Sequence, residues 1–271
     1  MFLVDSHCHL DSLDYETVHP NVQAVINRAC ALGVTHMLSV GVDLVEFSAL
    51  YDLVKDLPGV YTAAGLHPEN LTLDNKNWRE EELAEFLGRP KVIALGETGL
   101  DYINTPETAT MQKESFARQV AVGASLDKPL IIHGRGAMKD CMDIIYFEGN
   151  GKSRGVMHCF CDDIAQAKRA LDMGFYISFS GIVSFKKALN VQEACRYVPL
   201  DRMLVETDSP YLAPVPMRGH PNEPGYVSYT AAAVAALHNT TKERVCETTA
   251  QNFAACFGVD LEQESLVAVE A

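Results

Sequence analysis

The chain has 271 residues, 48% of them hydrophobic, and a formal net charge of −14 at pH 7. Its length suits one α/β barrel or two small domains, with apolar material enough for a sizeable core. The acidic balance argues against a protein that coats nucleic acid, which needs a basic face, and no run of roughly 18 uninterrupted apolar residues offers a membrane span.

The first element is the run Phe2-Leu3-Val4, a short buried strand, with Leu3–Asp5 as its expected extent. Asp5 interrupts the apolar stretch, so no signal peptide is expected. Seven further β-rich runs follow: His36–Val40, Tyr61–Gly65, Val92–Leu95, Leu130–Ile132, Gly155–Met157, Phe175–Phe179 and Met203–Val205. Between them lie amphipathic helical stretches at Asn21–Leu32, Phe47–Leu57, Glu80–Leu87, Met111–Leu126, Met138–Phe147, Ala165–Met173 and Lys187–Tyr197. Gly33 and Gly174 stand where two of these helices should stop. Tyr229–Leu237 and Lys242–Phe257 read as two closing helices. Eight strand–helix units in series predict a single (β/α)8 barrel with extra C-terminal helices over residues 1–258. The acidic segment 259–271 has no core-facing pattern and is expected to fray. The eight cysteines are scattered, and several, such as Cys30, Cys141, Cys195, Cys246 and Cys256, sit in apolar or helical segments. That usage suggests reduced thiols and a cytoplasmic location. Cys159 and Cys161 form Cys-x-Cys rather than a paired Cys-x-x-Cys zinc motif.

The chemistry-bearing residues fall just beyond the strands. His7 and His9 follow the first, on one side of the chain because strand side chains alternate. His67 follows the third, Glu97 the fourth, His133 ends the fifth, His158 the sixth, and Asp208 follows the eighth. In a barrel all those strand ends open on one face, where active sites are built. His7, His9, Glu97, His133, His158 and Asp208 are the expected metal ligands. Four imidazoles and two carboxylates suit two cations better than one, and Glu97, with two oxygens in the middle of the series, is the expected bridge. His19, His36 and His238 fall elsewhere and read as structural or surface residues. Asp5 could orient a liganding imidazole, and Glu206 should point toward the site or its rim.

Together the motifs resemble the TatD family of metal-dependent DNases. They are Asp5-Ser-His-Cys-His-Leu-Asp11, Gly65-Leu-His-Pro68, Gly96-Glu-Thr-Gly-Leu-Asp-Tyr102, Ile132-His-Gly-Arg135, His158-Cys-Phe160, Glu206-Thr-Asp-Ser-Pro210 and Arg218-Gly with Asn222-Glu-Pro224. They come in that family's order and span nearly the whole chain. The resemblance implies a distorted TIM barrel of amidohydrolase type with two divalent ions per chain, such as magnesium, manganese or zinc. It assigns His7, His9, Glu97 and Asp208 to one ion, and Glu97, His133 and His158 to the other. It implies metal-dependent cleavage of DNA phosphodiesters, in some members as a 3′-to-5′ exonuclease. Two positions depart from the family pattern. Gly136 follows Arg135 where an acidic residue is usual, and Cys161-Asp162-Asp163 stands where the family often has Ser or Thr and then Gly.

The leading expectation is thus hydrolysis of single-stranded DNA ends by a metal-activated water, with Asp208 and Glu97 as catalytic residues. Asp208 would take the proton. His67, Arg135, Arg218 and Asn222 are candidate substrate contacts, an Arg fork being suited to phosphate. Contact with DNA should be weak, and no obligate protein partner or membrane is expected. The runner-up keeps barrel and metals but hydrolyses a small amide, ester or lactone. Many amidohydrolases bridge their metals with a carboxylated lysine at the end of strand four. Glu97 stands there, and Lys91 and Lys128 sit at the opposite strand ends, which favours the DNase-like branch.

Overall fold

The computed structural model describes residues 2–269. Eight parallel strands lie side by side in chain order: β1 (Val4–Cys8), β2 (His36–Val40), β3 (Val60–Ala64), β4 (Val92–Asp101), β5 (Leu130–Arg135), β6 (Gly155–Met157), β7 (Tyr176–Phe179) and β8 (Met203–Val205). Helices alternate with them: α1 (Val22–Ala31), α2 (Phe47–Val54), α3 (Glu80–Leu87), α4 (Ala109–Ser125), α5 (Met138–Glu148), α6 (Ile164–Asp172) and α7 (Leu189–Tyr197). α8 (Val227–Leu237) and α9 (Lys242–Phe257) follow β8. This is the expected barrel, closed at the β8–β1 seam by few bonds. The Asp208 amide donates to His7 O and the His9 amide to Ser209 O, each at 2.9 Å, and Ser6 Oγ donates to Val205 O at 2.9 Å. The seam therefore closes largely with residues of the Asp5–Asp11 and Glu206–Pro210 motifs.

The core has two parts, and strand alternation separates them. Val4, Leu38, Val40, Ala63, Ala94, Ile131, Val156 and Leu204 fill the barrel interior. Leu3, Met37, Ala64, Leu95, Ile132 and Met157 face the helices. α9 crosses the lower mouth, where Phe253, Cys256 and Phe257 pack onto the interior cluster. Thr241 caps α9 by accepting from the Arg244 amide, and Gly258 ends it in the left-handed region at φ 70°.

Two expectations need correction. The fourth strand does not stop at Leu95 but runs to Asp101, pairing Thr98 with Ile132 and Gly99 with His133 after a register shift. The segment from 259 is not a frayed tail over its described residues. Leu261 and Leu266 are buried, the Leu266 amide donates to Thr35 O at 2.8 Å, and Asn27 Nδ2 donates to Val269 O at 2.8 Å. Two well-spaced leucines suffice to anchor an irregular segment, and they leave no periodic pattern to read. A Cβ on Gly59 would lie 2.4 Å from the Leu266 amide, so the segment closes over a residue that has no side chain.

Candidate metal centre

Alternation explains part of the site. Ile131 and His133 share the inner face of β5, and Val156 and His158 share that of β6 and its extension. It does not explain His7 or Glu97, which stand three residues beyond the inward-facing Val4 and Ala94. Register shifts intervene, between Asp5 and Cys8 in β1 and between Leu95 and Thr98 in β4. These irregularities turn both side chains inward.

Glu97 is the hub. It is 3% exposed, and imidazoles surround both of its oxygens. Oε2 lies 3.2 Å from His7 Nε2 and 3.8 Å from His9 Nε2. Oε1 lies 2.7 Å from His158 Nε2, 3.0 Å from His133 Nδ1 and 3.3 Å from His67 Nε2. Asp208 Oδ1 completes the cluster, 3.5 Å from His9 Nε2 and 3.7 Å from His7 Nε2. Among the described residues the candidate ligand atoms form three close groups: His7, Glu97 and His158; His7, His9 and Asp208; and His67, Glu69 and His133. The six expected ligands thus converge on one spot.

The electrostatics follow from this crowding. Burial would raise the Glu97 carboxyl, but the charges of His158, His67 and His7 hold it well below its usual range. Burial opposes charge on His9 too, yet its bond to Asp208 and the charges of Glu97 and Asp208 raise it to about 9. His133 is likewise lifted against burial to about 9 by Asp101 and Glu97. Asp208 drops to about 2, because its bond to His9 and the neighbouring imidazoles outweigh burial. His7 and His67 are pulled down, chiefly by burial. Five imidazoles around one buried carboxylate are more nitrogen than its oxygens can engage as hydrogen bonds. His7 Nε2 and His9 Nε2 even face each other at 3.2 Å. Such a mixed imidazole–carboxylate set fits divalent transition metals.

Supporting groups set the ring orientations. His133 Nε2 lies 3.0 Å from Asp101 Oδ2, which leaves Nδ1 for Glu97. His158 Nδ1 lies 3.3 Å from Glu206 Oε1. His9 Nδ1 lies 2.9 Å from Val40 O, which fixes its proton there and turns Nε2 inward. His67 Nδ1 accepts from the Glu69 amide at 3.2 Å, so the neutral ring carries its proton on Nε2, toward the site. Asp101 escaped the sequence reading. Its signal was available in hindsight, since residues 97, 99 and 101 share a face if β4 continues.

Not every expected residue is where the sequence suggested. Asp5 does not orient an imidazole. It accepts from the Thr207 amide at 2.8 Å and the Thr207 hydroxyl at 2.6 Å, tying β1 to the loop that bears Asp208. Asp208 itself sits at φ 56°, a conformation an L residue adopts only when its surroundings hold it. Asn222 is fully buried and does not line the cavity. Its Nδ2 donates to Thr207 O at 2.9 Å and also to Tyr211 O, so it is a brace for the same loop, not a substrate contact. Arg218 lies outside the cavity too, with its guanidinium 4.0 Å from the Phe185 ring centre. Arg135 and His67 do line it. His36 and His238 are structural, each facing a backbone carbonyl (Glu264 O and Cys195 O), and buried His19 contacts Arg28 and Glu223. The cavity holds about 690 Å³ and opens at the carboxyl ends of the strands, with Glu97 and Asp208 in its wall beside Ser12, Asn70, Asn104 and Tyr211.

Comparison with known proteins agrees with this geometry. Residues 4–258 match the family model for TatD related DNase. The chain is 46% identical over 260 residues to a protein of Escherichia coli (strain K12) named uncharacterized metal-dependent hydrolase YcfH, covering 96% of this chain and 97% of that one. It is 29% identical over 267 residues to the 3′-5′ ssDNA/RNA exonuclease TatD of Klebsiella pneumoniae (strain 342), covering 96% and 99%. Among solved structures, YJJV, a TatD homolog from Escherichia coli K12, superposes with a TM-score of 0.86 at 24% identity, over 95% of this chain and 98% of that one. The chain belongs to the TatD family of metal-dependent hydrolases.

Proposed function

We propose that this protein hydrolyses phosphodiester bonds at the ends of single-stranded DNA, from 3′ to 5′, using two divalent cations. The observation that carries the reading is the buried Glu97 carboxylate with imidazoles around both oxygens and Asp208 beside it. His7, His9, Glu97 and Asp208 would hold one cation; Glu97, His133 and His158 would hold the other. Cations held there would lower the pKa of a water and offset charge on the phosphoryl oxygens.

The chain's own groups do the rest. Asp208 is an ionised carboxylate at the cavity wall and takes the proton of the attacking water. His67 offers an Nε2–H to a phosphoryl oxygen, with its tautomer set by the Glu69 amide. Arg135 is exposed at the cavity and has no ion pair among the described residues, so its fork is free for phosphate. The name of the Klebsiella relative supports a nucleic-acid substrate and the polarity. Lys91 and Lys128 support the DNase-like branch, since their ammonium groups bind Leu57 O and Val92 O at the far end of the barrel.

The test is an activity panel with and without chelator: end-labelled single-stranded DNA and RNA, bis-nitrophenyl phosphate, and nitrophenyl esters. We expect metal-dependent, stepwise loss of 3′-terminal nucleotides. Fast ester hydrolysis with no phosphodiesterase activity would replace this reading with the amidohydrolase one.

A further inference from the structure

The cavity mouth carries two thiols that the hydrolytic reaction does not use. Cys159 and Cys161 flank Phe160, and both line the cavity. Phe160 is 1% exposed, and its amide donates to Ser178 O at 3.0 Å, so the middle of the tripeptide is anchored. The backbone turns at Cys159 and folds the Cys161 thiol back onto the Cys159 carbonyl, beside that anchor. Cys159 takes φ 45°, the Cys161 thiol donates to Cys159 O at 3.1 Å, and the Cys159 sulfur lies 3.2 Å from Ser180 Oγ. Cys161 is exposed and Cys159 half-buried. By contrast Cys8, Cys141, Cys195, Cys246 and Cys256 are buried, and Cys30 does not line this cavity. An accessible thiol thus has a second, cavity-lining thiol two residues away on a tight turn, near enough along the chain to resolve it.

The Cys159 backbone is also wired to the metal centre. Its amide donates to Glu206 Oε1 at 2.7 Å, and the same oxygen lies 3.3 Å from His158 Nδ1. The other oxygen of Glu206 has no partner among the described residues. A change in the Cys159 backbone is therefore felt by the one carboxylate that orients the His158 ring.

We infer that Cys159 and Cys161 are an oxidation site, closed to a reversible disulfide by peroxide, and that closure slows the hydrolase by disturbing the Cys159–Glu206–His158 link. The Cys161 sulfur attacks one oxygen of hydrogen peroxide, the O–O bond breaks, and water leaves a sulfenic acid behind. The Cys159 sulfur then attacks that sulfur; an S–S bond forms, the S–O bond breaks, and a second water carries off the oxygen. The pair loses two electrons and two protons, and the peroxide is reduced to two waters. A disulfide between such close neighbours is strained and exposed, which makes it easy to reduce again. The modification itself stands independently of the substrate; its kinetic effect rests on the metal-centre reading above.

The test uses the metal-loaded protein, treated with hydrogen peroxide, alkylated and digested with trypsin. Cleavage after Arg154 and Lys168 gives one peptide, Gly155–Lys168, that holds both thiols and no other cysteine. We expect that peptide to lose the mass of two hydrogen atoms and resist alkylation until dithiothreitol is added. Turnover of bis-nitrophenyl phosphate should fall on the order of tenfold, the usual lower range for disturbing a ligand's supporting contact, and recover on reduction. Cys161→Ser should keep its basal turnover and lose the peroxide response. The proposal is overturned if the peptide stays unmodified or gains oxygen on Cys161 instead of losing hydrogen. It is equally overturned if the disulfide forms with turnover unchanged, or if Cys161→Ser is inhibited as strongly as the parent chain.

Discussion

Asp208 shows how much one position is made to do. Its φ of 56° is held by its own amide bond to His7 O, by Asp5 gripping Thr207, and by Asn222 gripping Thr207 O. Asp208→Asn keeps that scaffold and removes the charge. It should lower turnover by roughly 10²–10⁴-fold, the range for losing a general base, with the barrel still folded by circular dichroism at the assay temperature. Near-normal turnover with both metals bound would refute the role. The same cluster gives the metal-free protein a pH signature. His9 is raised from its ordinary 6.5 to about 9, so the stability it contributes is full below pH 6.5 and lost as pH climbs through 9. Asp208 is lowered from 3.8 to about 2, so its contribution is full above pH 3.8 and lost as pH falls through 2. Chelated protein should therefore melt at a falling temperature as pH rises from 6.5 toward 9. A melting temperature flat across that window would contradict the His9–Asp208 coupling.

At the scale of the elements, β4 is the strand that does most for the site. Its extension to Asp101 carries Glu97 as the hub and Asp101 as the partner of His133, and from Thr98 to Asp101 it pairs with β5 residue by residue. The pairing is close because Gly99 has no side chain. At φ 147°, a Cβ there would lie 1.9 Å from His133 O. Gly99→Ala should cost about 1–3 kcal/mol, the usual penalty for overpacking, and should weaken metal binding because His133 moves with its backbone. Urea unfolding midpoints of the two proteins decide this, and unchanged stability would mean the strands can part at no cost. The irregular elements matter as much as the regular ones. The described part of the C-terminal segment, expected to be loose, lies against Gly59 and Thr35 at the barrel's far end, away from the chemistry.

For the whole molecule, charge and shape limit the substrate. The net charge is −14, so little counterion release is available along a long duplex. A cavity of about 690 Å³ is pocket-sized rather than a groove for stacked base pairs. Short single-stranded DNA should be cut faster than duplex, and a covalently closed circle should resist. Efficient nicking of the circle in a gel assay would overturn end-directed cleavage. The sequence alone determined the barrel and the convergence of its polar residues. Apolar alternation marks the strands locally, and a barrel gathers their carboxyl ends by topology. Hence His7, His9, Glu97, His133, His158 and Asp208 were legible one by one. Only the tertiary structure decided who supports them. Glu206 meets His158 across 48 residues, His133 meets Asp101 across 32, and Thr207 meets Asp5 across 202. It also decided that Asn222 is a brace, that Arg218 stands aside, and that Leu261 and Leu266 are buried. Such pairings depend on register shifts and close approaches between distant segments, and neither leaves a periodic mark on the chain.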